Sequence, residues 1–186
     1  MLVPILATVI RIIWALIEVP YVHRFKIKPT RDFDKHSAKL WDVANLIEPV
    51  GMVLGFTGIG RIAVAPRVIG VLGLLLLVAG IVIHWTAIYT LGRFFTGTVV
   101  IKNDHELIRT GLYKHLRHPA YTGTLIAHLG LGLSFTSWFS LALSSIPYLI
   151  VAFYRMHVEE RALGGAFGDD YTAYCQTARR LIPKVY

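Results

Sequence analysis

The apolar positions of this chain fall in long blocks separated by short polar segments. Residues 2–19 and 68–91 are almost wholly apolar, and residues 124–153 form a 30-residue stretch without Asp, Glu, Lys or Arg. Apolar runs of ~20 residues have the length of a membrane-spanning helix. A weaker run, residues 43–59, carries Asn45, Glu48 and Pro49 near its start, and Gly51 and Gly55 at the small-xxx-small spacing that lets helices approach closely. Residues 119–153 are too long for one span and fit two short ones, 119–134 and 138–153, folded as a hairpin about the turn SFTSW at 134–138. The pattern therefore predicts an all-α membrane protein, a single integral membrane domain with five transmembrane helices.

Composition agrees with that reading. Apolar residues make up 55% of the chain and charged residues 16%, against about a quarter charged in a soluble domain. The net charge of +8 reads as basic loops facing the cytosol and anionic headgroups, and not as a nucleic-acid footprint. Residues 2–19 have no basic leader and no small-residue cleavage pattern after them, so they read as a retained helix. If the loops alternate sides, sixteen Lys and Arg fall on one side: six between Arg24 and Lys39, five between Arg93 and Arg117, and five between Arg155 and Lys184. The other side has Arg61 and Arg67 alone, in the short turn after the second span. The positive-inside rule puts the basic side in the cytoplasm and the N-terminus outside. The polar segments 98–123 and 154–186 then share the cytosolic face, where a pocket can form between the loop before span four and the tail. The lone Cys175 allows neither an internal disulfide nor a multi-cysteine metal site.

The stretch GLYKHLRHPAYTG, residues 111–123, stands at the foot of span four. Proline suits the first turn of a helix, which puts His118 at the cap and the positive helix end beside Lys114, His115 and Arg117. Such an end can hold an anion; equally, Arg117 and Lys114 can snorkel to headgroups with Tyr113 and Tyr121 as interfacial aromatics. In the tail, Arg155 and Glu159 lie four apart at the exit of span five. They form either a plain ion pair or a fork for a substrate carboxylate beside a cofactor contact. Gly164 and Gly165 are expected to break the helix and fold the tail back. Arg11 and Glu18, seven apart, should share a face turned into the bundle. Glu48 reads either as a functional group or as the partner of a loop-one lysine, and His84 and His128 as core hydrogen-bonders. No His, Cys and Asp cluster has metal spacing, no Ser/His/Asp or Cys/His elbow occurs, and Gly55, Gly58 and Gly60 fall in a helical span and not in a dinucleotide-binding turn.

Five motifs then combine: His105-Glu106-Leu107-Ile108 with Gly111-x-Tyr113; Arg117-His118-Pro119-x-Tyr121-x-Gly123; Glu159-Glu160-x-x-Leu163; Phe167-Gly168-x-x-Tyr171; and Arg180-Leu181-Ile182-Pro183. In order and spacing the chain, over about residues 98–186, resembles the isoprenylcysteine carboxyl methyltransferase family, and looks like a compact archaeal or bacterial member lacking the extra N-terminal spans of eukaryotic ones. The resemblance implies an integral membrane enzyme that uses S-adenosylmethionine, leaves S-adenosylhomocysteine, needs no metal, and methylates the carboxylate of a lipophilic, isoprenylcysteine-like acceptor entering from the bilayer. It implies cofactor contacts from His105, Glu106, Leu107, Ile108, Tyr113, His118, Pro119, Ala120, Tyr121 and Glu159, with Arg155 facing the substrate carboxylate. The membrane is then the cell membrane of a prokaryote or the endoplasmic reticulum of a eukaryote. The same C-terminal pattern recurs loosely in membrane sterol reductases that use NADPH and in phospholipid N-methyltransferases. A carboxylate, ionised at neutral pH, needs no general base, which matches the missing triad.

The charge count makes a direct test possible: a reporter active only in the cytoplasm, fused after Tyr186, should give signal, and a silent but well-expressed fusion would reverse the orientation.

Overall fold

The computed structural model describes residues 1–25, 35–98 and 105–182. The loop-one residues Lys26, Lys28 and Arg31, the β-branched Val99, Val100 and Ile101, and Pro183 lie outside them. Among the described residues there are five long helices and one short one: α1 (Leu2–Arg24), α2 (Lys35–Thr57), α3 (Pro66–Leu91), α4 (Pro119–Ser134), α5 (Trp138–Phe167) and α6 (Asp169–Thr177). α1, α5 and the helical stretch from Pro66 to Phe94 are long and apolar enough to cross a membrane.

Proline and serine set the helix starts. Pro66 and Pro119 open α3 and α4, where the missing N–H has no intrahelical partner to lose. Ser137 caps α5, its Oγ accepting from Ser140 N while donating to Ile59 O at 2.9 Å. Helix and apolar run do not coincide elsewhere. α1 continues past residue 19 to Arg24, and α2 begins at Lys35, eight residues before its apolar run, so much of the expected polar loop 21–42 is helical. Lys and Arg are good helix formers, and hydropathy marks where a helix is apolar and not where it ends. α2 stops at Thr57, leaving Gly58 and Gly60 in a turn with φ of +77° and +67°, outside the helix that was expected to hold them. α5 runs straight through Gly164 and Gly165 and ends at Gly168, whose φ of +50° is the conformation that favours glycine. The expected break is thus three residues later: interior glycines cost a helix only ~1 kcal/mol, too little to end one that is packed.

The helices alternate direction, and their connections sort to two ends. At one end the turn after α2 meets the turn after α4, with Ile62 N donating to Thr136 O (2.8 Å) and Trp138 N to Gly60 O (2.9 Å). At the other end Gly97 N donates to Phe25 O, and the tail pairs with the segment before α4.

The frame is the α3–α4 contact. A Cβ at Gly80 would sit 2.3 Å from Ala127 N, one at Gly123 2.4 Å from His84 N, one at Gly130 2.2 Å from Leu77 N and one at Gly73 2.5 Å from Ser134 N. With glycines facing on both helices, the two backbones touch, the close approach that drives helix association where lipid removes any hydrophobic incentive. Gly51 and Gly55 play the expected part between α2 and α5, where a Cβ would meet Leu143 Cβ at 2.9 Å and Ser140 Oγ at 2.3 Å. α1 is held differently. Only 11% of its most apolar window is buried, and two polar pairs anchor it: Arg11 Nε to Glu48 Oε1 at 2.7 Å, and Glu18 Oε1 to His84 Nε2 at 3.1 Å. Arg11 and Glu18 do turn inward together. Glu48 pairs with Arg11 and His128, which lie at its own depth in the bundle.

The glycine contact predicts opposite outcomes at two sites. Gly80→Val should destabilise by at least ~1–3 kcal/mol through forced separation of α3 and α4. Gly165→Ala, with nothing within 4 Å of the new methyl, should be neutral or stabilising by up to ~1 kcal/mol. Thermal unfolding in detergent compares them; equal melting temperatures would dismiss the contact as the frame.

Candidate active site

The tail closes one end of the bundle through a short ladder. Arg117 N donates to Arg179 O (2.6 Å), Arg179 N to His115 O (3.0 Å) and His118 N to Arg180 O (3.2 Å). Side chains reinforce it: Tyr174 Oη donates to Tyr113 O at 2.6 Å and Thr122 Oγ1 to Leu181 O at 2.8 Å. Tyr171, Tyr174 and Ala178 pack with Leu107, Leu163 and Phe167 into a small apolar core of their own.

At its centre is Glu160. Oε1 accepts from Arg117 Nε (3.1 Å) and Arg180 Nε (3.0 Å), and Arg180 Nη2 reaches Oε2. His118 Nε2 lies 3.2 Å from the same Oε1. Arg117 also donates to Cys175 O and Ala178 O. Its guanidinium therefore ties the tail to α5 and neither snorkels nor awaits an anion. Tyr113 is buried as well, and not an interfacial aromatic.

Beside this hub opens a cavity of about 930 Å³, at the upper end of small-molecule sites. On its wall Glu159 faces two groups. Tyr121 Oη donates to Glu159 Oε1, and His118 Nδ1 stands 3.5 Å from Oε2. Arg155 Nε donates to Tyr121 Oη at 3.0 Å, and its Nη2 is 3.9 Å from Glu159 Oε1, too far for a hydrogen bond. Arg155 is buried, and Trp41 of α2 lies under its guanidinium at 5.8 Å.

Of the residues expected at the site, His105, Glu106, Leu107, Ile108, Tyr113, His118, Ala120, Tyr121, Arg155 and Glu159 all line this cavity. The His105 ring stands between Phe94 (5.2 Å) and Phe167 (5.9 Å), and the exposed Glu106 pairs with Arg93 at 3.6 Å. Pro119 does not line it; it is fully buried, its ring committed to the first turn of α4. Sequence reading passed over Glu160 and Arg180 as partners, although both stand in the motifs, and before position 98 it raised Glu48 alone as a functional candidate. Trp14, Glu18 and His84 line the cavity all the same, as does Trp41; tryptophan in or beside a polar-flanked span was the available signal.

The family model of the isoprenylcysteine carboxyl methyltransferase (ICMT) family matches residues 71–164, half of the chain. The chain belongs to this family. It is 32% identical over 119 residues to protein-S-isoprenylcysteine O-methyltransferase B of Arabidopsis thaliana, covering 61% of this chain and 58% of that one. It is also 32% identical over 116 residues to protein-S-isoprenylcysteine O-methyltransferase of Saccharomyces cerevisiae, covering 60% and 48%. The matched part thus spans about half the length of these relatives. The fold is similar to the solved structure of the eukaryotic intramembrane Ras methyltransferase ICMT, with a TM-score of 0.64 and 24% identity, over 81% of this chain and 54% of that one. Family and apolar helices together make the chain a multi-pass integral membrane protein.

His118 gives the ICMT-family site a pH signature. Burial alone would lower its pKa, but its bonds to Glu159 and Glu160 outweigh burial and hold it above the ordinary value. A raised folded pKa stabilises fully below the ordinary ~6.5 and loses that stabilisation as pH climbs through the raised value. The melting temperature should therefore fall as pH rises above about 6.5. Glu160→Gln should lower it at the acid end, by ~1.5–3 kcal/mol of lost charged hydrogen bonds, and flatten the slope. An unchanged slope would remove His118 from the tail clamp.

Proposed function

We propose that the chain is an S-adenosylmethionine-dependent methyltransferase that esterifies the carboxylate of a lipophilic, isoprenylcysteine-like acceptor at the cytosolic membrane boundary. In this reading the five long helices are five spans, the last two forming a hairpin, with the N-terminus outside and the C-terminus in the cytoplasm. The sorting of connections to two ends supports the alternation, and the sixteen basic residues on one side support the orientation.

The observation that carries the reading is Arg155. A guanidinium withdrawn from water, held through Nε by Tyr121 and through Nη2 by Gly97 O (3.5 Å) and backed by Trp41, stands at the cavity wall. Its planar fork of five N–H donors is the group that matches a carboxylate bidentately. The acceptor needs no deprotonation at neutral pH. It needs a counter-charge, alignment and exclusion of water, and Arg155 in an apolar, partly enclosed cavity contributes all three.

The donor set around Glu159 fits the cofactor. Glu159 offers a carboxylate to a cationic amino-acid portion, while His105, Leu107 and Ile108 offer a flat apolar wall to an aromatic base. When bound, S-adenosylmethionine supplies a methyl group on a sulfonium centre. His118 and Tyr121 hold the Glu159 carboxylate in place, and Glu160 holds His118 and the tail behind it. An NADPH reductase would need cations for a 2′-phosphate, and two of the arginines at this end, Arg117 and Arg180, are bound to Glu160. Similarity to the named relatives, which act on isoprenylcysteine by their names, supports the acceptor class.

Arg155→Lys separates the roles. Keeping the charge but losing the fork should lower kcat/KM for an S-prenylated N-acetylcysteine by ~100-fold or more. Affinity for S-adenosylhomocysteine, measured calorimetrically on the same variant, should be nearly unchanged. Surviving activity would reduce Arg155 to an interfacial anchor, and joint loss of both would move it into the cofactor site.

A further inference from the structure

The cavity does not end at Arg155. It continues past the first turn of α4 to a group of polar side chains inside the bundle, where an isoprenoid chain by itself would call for none. Ala120, Thr124 and His128 lie at i, i+4 and i+8 on one face of α4. His84 Nδ1 is 3.2 Å from Ala120 O and 2.8 Å from Thr124 Oγ1, and His128 Nδ1 is 2.8 Å from Glu48 Oε2. Trp14 bridges the two levels, its ring 5.5 Å from His84 and 6.0 Å from His128, with the Arg11 guanidinium 5.3 Å away on the far side.

Most of these groups satisfy one another. Trp14 does not: it is 3% exposed, it lines the cavity, and its indole N–H has no hydrogen-bond partner among the described residues. Phenylalanine would fill the same place without stranding a donor in hydrocarbon, where an unmet N–H is costly. Ion pairing to anchor α1 explains Arg11 and Glu18 but not this indole. A donor left over on a cavity wall is matched by an acceptor that arrives with the ligand.

We propose that this arm is a second recognition subsite, in which Trp14 donates to a hydroxyl, ether or carbonyl oxygen carried on the apolar chain of the acceptor. The proposal rests on the carboxylate reading above and refines its substrate class to oxygenated lipophilic acids. At 1.5 Å per residue, Thr124 and His128 lie roughly 6 and 12 Å along α4 from Ala120, so the oxygen belongs mid-chain.

The test uses binding, so it does not depend on methyl transfer. Long-chain carboxylic acids with one hydroxyl moved along the chain are titrated against the detergent-solubilised protein, with the unsubstituted acid as reference. A mid-chain hydroxyl should tighten binding by roughly tenfold, and the gain should vanish for hydroxyls next to the carboxylate or at the chain terminus. Trp14→Phe should abolish the gain, measured against the unsubstituted acid on the same variant. A flat position profile in the wild-type protein overturns the subsite even where the variant does not fold, and so does a gain that survives Trp14→Phe. If the profile holds but neither these acids nor S-prenylated N-acetylcysteine is methylated, the subsite stands and the methyl-transfer reading falls.

Discussion

Four carboxylates, Glu18, Glu48, Glu159 and Glu160, are largely withdrawn from water, and each lies 2.7–3.5 Å from a basic side chain on another helix or segment. In a medium that cannot solvate charge, removing either member of such a pair is severe, so the pairs fix which helix stands beside which. Glu48 joins α2 to α1 and α4; Glu18 joins α1 to α3; Glu159 and Glu160 join α5 to α4 and to the tail. Glu159 lines the cavity beside Arg155, and Glu18 and Glu48 line its continuation into the bundle.

Charge pairing works only because the backbones already touch. The facing glycines of α3 and α4 bring His84 within reach of Ala120 O and Thr124, and the start of α4 carries His118 and Tyr121. Any side chain at Gly123 would push His84 and the α4 entrance apart together. The site therefore inherits its precision from a region that contains no catalytic chemistry, as expected where lipid gives helices no other reason to associate.

The tail supplies the remaining constraint. Its core of tyrosines and its ladder to residues 115–118 cover the end of the bundle, leaving the cavity bounded by polar groups on one side and by spans on the other. In the proposed reaction a soluble cofactor and a lipophilic acceptor would then meet without either crossing the other's solvent. That separation suits a reaction that asks the protein for alignment and dryness more than for proton transfer.

Much of this was legible in the chain itself. Residues 119–134 were readable as a helix, and α4 has those bounds, because Pro119 opens it and a non-helical turn follows Ser134. The i,i+4 spacing of Arg155 and Glu159 and the cap position of His118 are local consequences of helix geometry, and all three side chains line the cavity. The spacing of Gly51 and Gly55 foretold a close contact. Other features depended on register between distant segments, which hydropathy does not encode. Nothing local pairs Glu160 with Arg117 and Arg180, opposes Gly73 and Gly80 to Gly123 and Gly130, or brings Trp14 and Trp41 of the first two helices to the cavity. Sequence determined which stretches are apolar and helical and which polar residues flank them. Only the tertiary structure decided which of them meet, because partner choice in a bilayer is set by where small residues allow backbones to touch and where buried charges find their counterparts.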